Sequence, residues 1–239
     1  MGNWMWDNYL NLAVINWLGQ FTAMSAHFNQ VMQYVEGAHV LKGLPVMGVL
    51  WFYWFGDTDA KSDTRRIIIA TLLGCIVAVF IARLINNIAP YQPRPFANSA
   101  LPYHAYIGLP PRESQSLFDW NSFPSDHAAL FFSLAMGIFI ISRRVGAFVF
   151  LYVLVIIALP RVYLGLHYPT DIIAGAGIGI ASVGVCTRKF VVNFYDEQCM
   201  TLLDRYPAAF QTALFIISAE ISMMFSDVRR FFTMAKYFF

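Results

Sequence analysis

From Ile67 to Ala89, Arg83 is the only charged side chain, and five other stretches are nearly as apolar. Such runs constrain folding more than anything else in the chain. Inside a bilayer every backbone N–H and C=O must be satisfied within the protein, which a helix does for itself. A spanning helix needs roughly 20 mostly apolar residues. Six segments approach that length: Val40–Phe55, Ile67–Ala89, Ser125–Ile141, Gly146–Tyr163, Thr170–Thr187 and Ala208–Phe225. The chain is 58% hydrophobic and 13% charged, where a soluble domain carries about 25% charge. The expected fold class is an all-α integral membrane protein, a bundle of six transmembrane helices.

Residues 1–36 follow a different pattern. Leu10, Val14, Trp17, Leu18, Phe21, Met24 and Phe28 recur at three- and four-residue steps, with Asn8, Asn11, Asn16, Gln20, His27, Asn29 and Gln30 between them. That segment is amphipathic and too polar to span, so it is expected to lie in the membrane interface. No repeat or linker marks a second domain. The expected organisation is one domain over 1–239, with an interfacial segment at 1–36, a core at 37–190 and an additional span at 208–226. A net charge of +2 does not suggest a nucleic-acid partner. Cys75, Cys186 and Cys199 show no metal-ligand spacing, and the first residues do not resemble a cleavable signal.

Three polar clusters interrupt the apolar chain: Arg94-Pro95, then Pro124-Ser125-Asp126-His127, then Arg161 with His167 and Asp171. Such groups are costly near a bilayer unless they bind a ligand or one another. Their types suit a phosphate: arginine forks for its oxygens, one histidine to attack phosphorus, another to protonate the leaving oxygen.

In order and spacing these clusters resemble the type 2 phosphatidic acid phosphatase (PAP2) superfamily. Its pattern is Lys-x6-Arg-Pro, then Pro-Ser-Gly-His, then Ser-Arg-x5-His-x3-Asp. Three positions depart from it: Asn87 stands in place of the lysine, Asp126 of the glycine and Pro160 of the serine. The Asp126 change resembles the bacterial undecaprenyl diphosphate phosphatase branch. The resemblance implies a metal-independent membrane lipid phosphatase with no cofactor, acting on a lipid phosphate or diphosphate, most simply a polyprenyl diphosphate. It implies His167 as the nucleophile, Asp171 as its orienting partner and His127 as the general acid and base. Arg94, Arg161 and Ser125 would cradle the phosphate, with Asn87, Asp126 and Arg83 behind them. Alternatives are a phosphatidic acid or phosphatidylglycerol phosphate phosphatase, a lipid phosphotransferase and a non-catalytic binder. Neither the lipid, the acceptor nor the oligomeric state follows from the sequence.

The count of lysines and arginines in the loops places the motif ends on the non-cytoplasmic face. The expected location is a bacterial inner (plasma) membrane, with the active site on the periplasmic or extracellular side. The proline-rich stretch Tyr91–Phe123 is expected to wall a lipid cleft. Arg83 and Glu220 fall at similar depths of two spans and are expected to pair. A competing expectation has Arg83 reaching the phosphate pocket in place of the missing lysine.

Overall fold

The computed structural model describes residues 7–56, 63–99, 101 and 120–224. Its regular structure is entirely helical among these residues. The order is α1 (Tyr9–Thr22), α2 (Ala26–Gly37), α3 (His39–Gly56), α4 (Asp63–Ile88), a short 3-10 turn (Pro95–Ala97) and α5 (Asp126–Ile141). Then come α6 (Arg143–Tyr152), a π turn (Val153–Ala158), α7 (Leu159–Tyr163), α8 (Pro169–Cys186), α9 (Lys189–Arg205) and α10 (Pro207–Ser222).

Helix α5 is the centre of the bundle, with α4, α8 and α6 packed around it. Leu130, Phe131, Leu134 and Ile138 along it are wholly buried. In lipid such contacts act through close packing rather than release of water, and small residues let backbones approach. Gly175 and Gly179 of α8 serve this purpose. A Cβ on Gly175 would sit 2.3 Å from the Ser125 carbonyl oxygen, and one on Gly179 2.2 Å from that of Ala129. The backbones of α5 and α8 therefore touch just where their first turns carry the motif residues.

Three helical segments are long and apolar enough to cross a membrane: Asp63–Ile88, the continuous Arg143–Tyr163, and Pro169–Cys186. Six were expected. Asp126–Ile141 and Pro207–Ser222 are apolar but have only 16 residues each. His39–Gly56 has 18 residues but contains Lys42 and Pro45. The Arg143–Tyr163 span holds a π turn immediately before Pro160. Proline has no N–H to donate and crowds the preceding turn, and a widened turn accommodates this. That is the local consequence of Pro160 standing where the family pattern has serine.

The N-terminal segment is amphipathic in the reverse sense from a soluble helix. Asn11 and Asn29 are wholly buried, while Trp17, Phe21, Met24 and Phe28 are exposed. Asn8 caps α1 by accepting from Asn11 N at 2.9 Å, and Ser25 caps α2 by accepting from Phe28 N at 3.2 Å. Asn11 exchanges two bonds with Thr170 at the start of α8, at 2.9 and 3.1 Å. Asn29 donates to the Thr22 carbonyl at 2.7 Å and accepts from the Tyr163 hydroxyl at 2.6 Å. The polar stripe thus docks α1 and α2 onto the motif-bearing end of the bundle.

One further expectation is corrected. Arg83 does not pair with Glu220: its Nη2 lies 2.5 Å from Asp126 Oδ2, and Glu220 Oε2 is buried with no partner among the described residues. Helix α10 is held to α3 instead, through Trp51 Nε1 donating to Ser218 Oγ at 3.0 Å. At the start of α5, Ser125 is the N-cap and Asp126 begins the helix. Helix α9, between the last two apolar helices, was not anticipated, since its mixed composition matches no span. It is tied to α4 by Arg66 Nε to Asp196 at 2.9 Å. Residues 102–119 and 225–239, with Arg112, Arg229, Arg230 and Lys236 of the charge count, lie outside the described residues. So does most of the expected lipid-cleft wall.

Candidate active site

All three polar clusters meet at one end of the bundle, around a cavity of about 400 Å³. Its lining includes Arg94, Arg161, His127, His167, Asp126 and Arg83. Helix ends deliver them: His127 from the start of α5, Arg161 from the end of α7, Arg83 from the last turns of α4. Arg94 precedes the short 3-10 turn.

The loop from Leu164 to Tyr168 presents His167. It folds back on Arg161, whose carbonyl accepts from Leu166 N at 2.9 Å and His167 N at 3.3 Å. Gly165 makes the reversal at φ 68°, a left-handed conformation that costs a side-chain-bearing residue energy. The five residues between Arg161 and His167 are thus the length of one closed turn. Pro169 opens α8, and Asp171 in its first turn accepts from Tyr168 N at 2.9 Å.

Asp171 orients His167 less directly than expected. His167 Nδ1 lies 2.9 Å from the Ser122 carbonyl oxygen, whereas the Asp171 carboxylate is 3.6 Å away. That carboxylate instead accepts from Ser122 Oγ at 2.5 Å and Gln92 Nε2 at 3.1 Å. The Asp171 carbonyl also takes the Ser125 N–H at 3.1 Å, joining the starts of α5 and α8. Asp171 therefore fixes Ser122, and the Ser122 carbonyl fixes the ring. With Nδ1–H donating there, the Nε2 lone pair faces Arg94 Nη1 at 3.3 Å on the cavity side. Burial foremost, and then the Arg94 charge, lower the His167 pKa to about 4 against a weaker opposing pull from Asp171. The imidazole is neutral at pH 7.

Both arginines keep unused donors. Arg94 Nη1 donates to the Leu166 carbonyl at 2.7 Å, and Arg161 Nη1 meets Glu36 at 2.6 Å. The Nε of each is buried with no partner among the described residues. Burial, and then Arg161, lower the Arg94 pKa to about 10, so it remains charged at pH 7. Two buried guanidiniums with free N–H groups suit a tetrahedral oxyanion.

The second histidine is oriented by Asp126. His127 Nδ1 is 3.0 Å from Asp126 Oδ1, which turns Nε2 toward the cavity. The same carboxylate holds Arg83, so the residue in the glycine position links a cavity cation to the second histidine. Ser125 is wholly buried; its hydroxyl accepts from Ala128 N at 3.4 Å as the helix cap, and it is absent from the described lining. Asn87 is exposed and also off the cavity, while its neighbour Asn86 lines it. Asn86 Nδ2 donates to the carbonyls of Asn121 and Phe123, at 3.1 and 2.9 Å, fastening the loop that carries the Ser122 carbonyl.

Besides Arg83, two charged lining residues belong to no motif, Glu36 of α2 and Lys42 of α3. Glu36 is contacted by Arg161 at 2.6 Å and Lys42 at 3.8 Å. Burial alone would raise its pKa, but those two cations hold the carboxyl below its ordinary value. The available signal in the sequence was a lysine, Lys42, inside the apolar segment Val40–Phe55. Among the described residues no group of three or more His, Cys, Asp or Glu is placed to hold a metal ion.

Comparison with known proteins places this geometry in context. Over 134 residues, 54% of this chain and 57% of the relative, it is 28% identical to "Bacitracin transport permease protein BcrC" of Bacillus licheniformis. Over 140 residues, 57% of this chain and 61% of the relative, it is 25% identical to "Putative undecaprenyl-diphosphatase YbjG" of Escherichia coli strain K12. The match thus spans less than two thirds of either curated relative. The fold is similar to that of the crystal structure of Aquifex aeolicus LpxE, with a TM-score of 0.50 and 24% identity over 76% of this chain and 97% of that one. The PAP2 superfamily model matches residues 90–195, the stretch that holds Arg94, His127, Arg161, His167 and Asp171.

Proposed function

We propose that this protein is a membrane lipid phosphatase that hydrolyses a polyprenyl diphosphate through a phosphohistidine on His167. The observation that carries the reading is the setting of His167 Nε2. It is neutral and opens on the same cavity as Arg94, Arg161 and His127, at one end of an apolar bundle.

In the first step the Nε2 lone pair attacks the terminal phosphorus. A P–N bond forms as the P–O bond to the lipid-borne leaving group breaks. Arg94 and Arg161 carry the charge on the equatorial oxygens. His127, protonated at Nε2 and held through Nδ1 by Asp126, gives its proton to the leaving oxygen. In the second step His127 takes a proton from water, the water oxygen attacks phosphorus, the P–N bond breaks and inorganic phosphate leaves. The arginines supply the positive field that a metal ion would otherwise provide.

The polyprenyl diphosphate assignment is supported by Asp126 in the motif, by the printed name of the Escherichia coli relative and by a cavity with four cations in its lining, Lys42, Arg83, Arg94 and Arg161. In this reading α3, α4, α5, the α6–α7 segment, α8 and α10 are the six spans. Helices α1 and α2 lie in the interface above the active site, on the non-cytoplasmic side of a bacterial inner membrane.

The test is phosphate release by the purified protein from isoprenoid diphosphates, isoprenoid monophosphates, phosphatidic acid and phosphatidylglycerol phosphate, with chelator present. Preference for the diphosphates is expected. A preference for either glycerophospholipid would overturn the substrate assignment, and no release from any of them would overturn the enzymatic one.

A further inference from the structure

Lys42 is a cavity cation that the mechanism leaves unused. It is 3% exposed, on a helix otherwise packed by apolar residues. Its ammonium donates to the backbone carbonyl of Glu36 in the last turn of α2 and stands 3.8 Å from the Glu36 carboxylate. The same carboxylate oxygen is 2.6 Å from Arg161 Nη1. Glu36 and Lys42 therefore reach the cavity from opposite sides of a corner at Ala38, the single residue between α2 and α3.

The charges in the cavity are unevenly matched. Arg83 has Asp126 as its own partner at 2.5 Å. Among the described residues, Glu36 is the one carboxylate that serves both Arg161 and Lys42. A carboxylate oxygen and a phosphoryl oxygen are both anionic acceptors and make the same charge-assisted bond to a guanidinium. Glu36 therefore occupies a donor of Arg161 that an incoming phosphate would use. A singly charged carboxylate shared between two cations yields most readily to a ligand that carries more charge and reaches both. A diphosphate does so: its terminal phosphate lies against His167, Arg94 and Arg161, and its second phosphate extends the anion toward a further cation.

We propose that Glu36 is an internal stand-in for a phosphoryl oxygen, displaced when a diphosphate binds, and that Lys42 then holds the phosphate that does not react. The corner between α2 and α3 is thereby the element that selects diphosphates over monophosphates. This rests on the reading of the cavity as a phosphate site given above.

The test uses inorganic pyrophosphate and orthophosphate as probes, with affinity read from thermal protection of the full-length detergent-solubilised protein. Wild type is expected to bind pyrophosphate more tightly than orthophosphate. Lys42→Gln should weaken pyrophosphate by about 10- to 100-fold, the range for loss of a charge-assisted bond, and orthophosphate far less. Lys42→Arg should restore most of the difference. Glu36→Gln should tighten orthophosphate and narrow the preference. Each affinity is read from the protection a variant gains over its own unliganded state, so an altered baseline stability cancels. Equal weakening of both anions in Lys42→Gln would overturn the subsite, as would weaker orthophosphate binding in Glu36→Gln, which would make Glu36 a support for Arg161 rather than a competitor. Absence of pyrophosphate binding in wild type would overturn it too. The lipid assay separates the two proposals: pyrophosphate selectivity that depends on Lys42, together with failure to hydrolyse any lipid diphosphate, would sink the substrate reading and leave the subsite standing.

Discussion

His167 illustrates how one side chain acquires a chemical role from its surroundings. Burial and Arg94 lower its pKa to about 4, and the Ser122 carbonyl fixes which nitrogen carries the proton. Between pH about 4 and the ordinary histidine value near 6.5, the unfolded chain binds a proton that the folded one does not. The stability this group contributes is therefore complete above about 6.5 and is lost as pH falls toward 4. In protein with 13C-labelled histidine, the His167 resonance, identified by its loss in His167→Gln, should keep its neutral shift down to pH 5. A titration midpoint near 6.5 would refute the account. His167→Ala should abolish turnover, and His127→Ala should lower it by about 10²–10⁴-fold, both measured as phosphate release in detergent. Asp126→Asn should lose part of the His127 effect and no more, because the amide can no longer accept from Nδ1 and pair with Arg83 at once. A wild-type rate in Asp126→Asn would separate Asp126 from His127.

At the scale of elements, the N-terminal helices are docked by polar side chains rather than by an apolar face. Asn29 bonds both the Thr22 carbonyl and the Tyr163 hydroxyl, and all three residues are at least largely buried. Asn29→Leu should remove both of these bonds, at a cost of about 1–3 kcal/mol each. The expected readout is a lower unfolding temperature in detergent. An unchanged temperature would mean that α2 only rests against the bundle. The Gly165 turn makes a second demand on backbone: Gly165→Ala must place a Cβ at φ 68°, costing roughly 1–2 kcal/mol. It should reduce turnover per folded molecule more than stability, since the loop it shapes carries His167.

For the whole molecule, one end of the bundle collects the start of α3, the end of α4, the start of α5, the end of α7 and the start of α8. If that end faces away from the cytoplasm, Tyr91→Cys, at an exposed position beside it, should react with an impermeant thiol reagent in intact cells. Labelling only after lysis would reverse the topology. With guanidiniums supplying the positive field, turnover should persist in chelator, and vanadate should inhibit competitively as a mimic of five-coordinate phosphorus. Loss of activity in chelator, restored by one divalent ion, would contradict this.

Several of these features were already legible along the chain. The apolar runs require helices because a bilayer leaves backbone groups no other partner. The residues between Arg161 and His167 close one turn, and Pro169 and Asp171 open the next helix, so motif spacing translated directly into local geometry. What lies far apart in sequence did not. Asn86 rather than Asn87 faces the cavity because the rotation of α4 is set by its packing on α5 and α8. Arg83 chose Asp126 over Glu220 because two residues at equal depth meet only if their helices turn the right faces to each other, and α10 is packed on α3. The docking of α1 and α2, which brings Glu36 onto Arg161 and Lys42 into the cavity, follows from single buried bonds such as Asn11 to Thr170 and Asn29 to Tyr163. Such pairs carry no periodicity for a sequence to display. Sequence by itself determined that the apolar runs are helical and the local order of the motif residues; tertiary packing alone decided which other charges share their cavity.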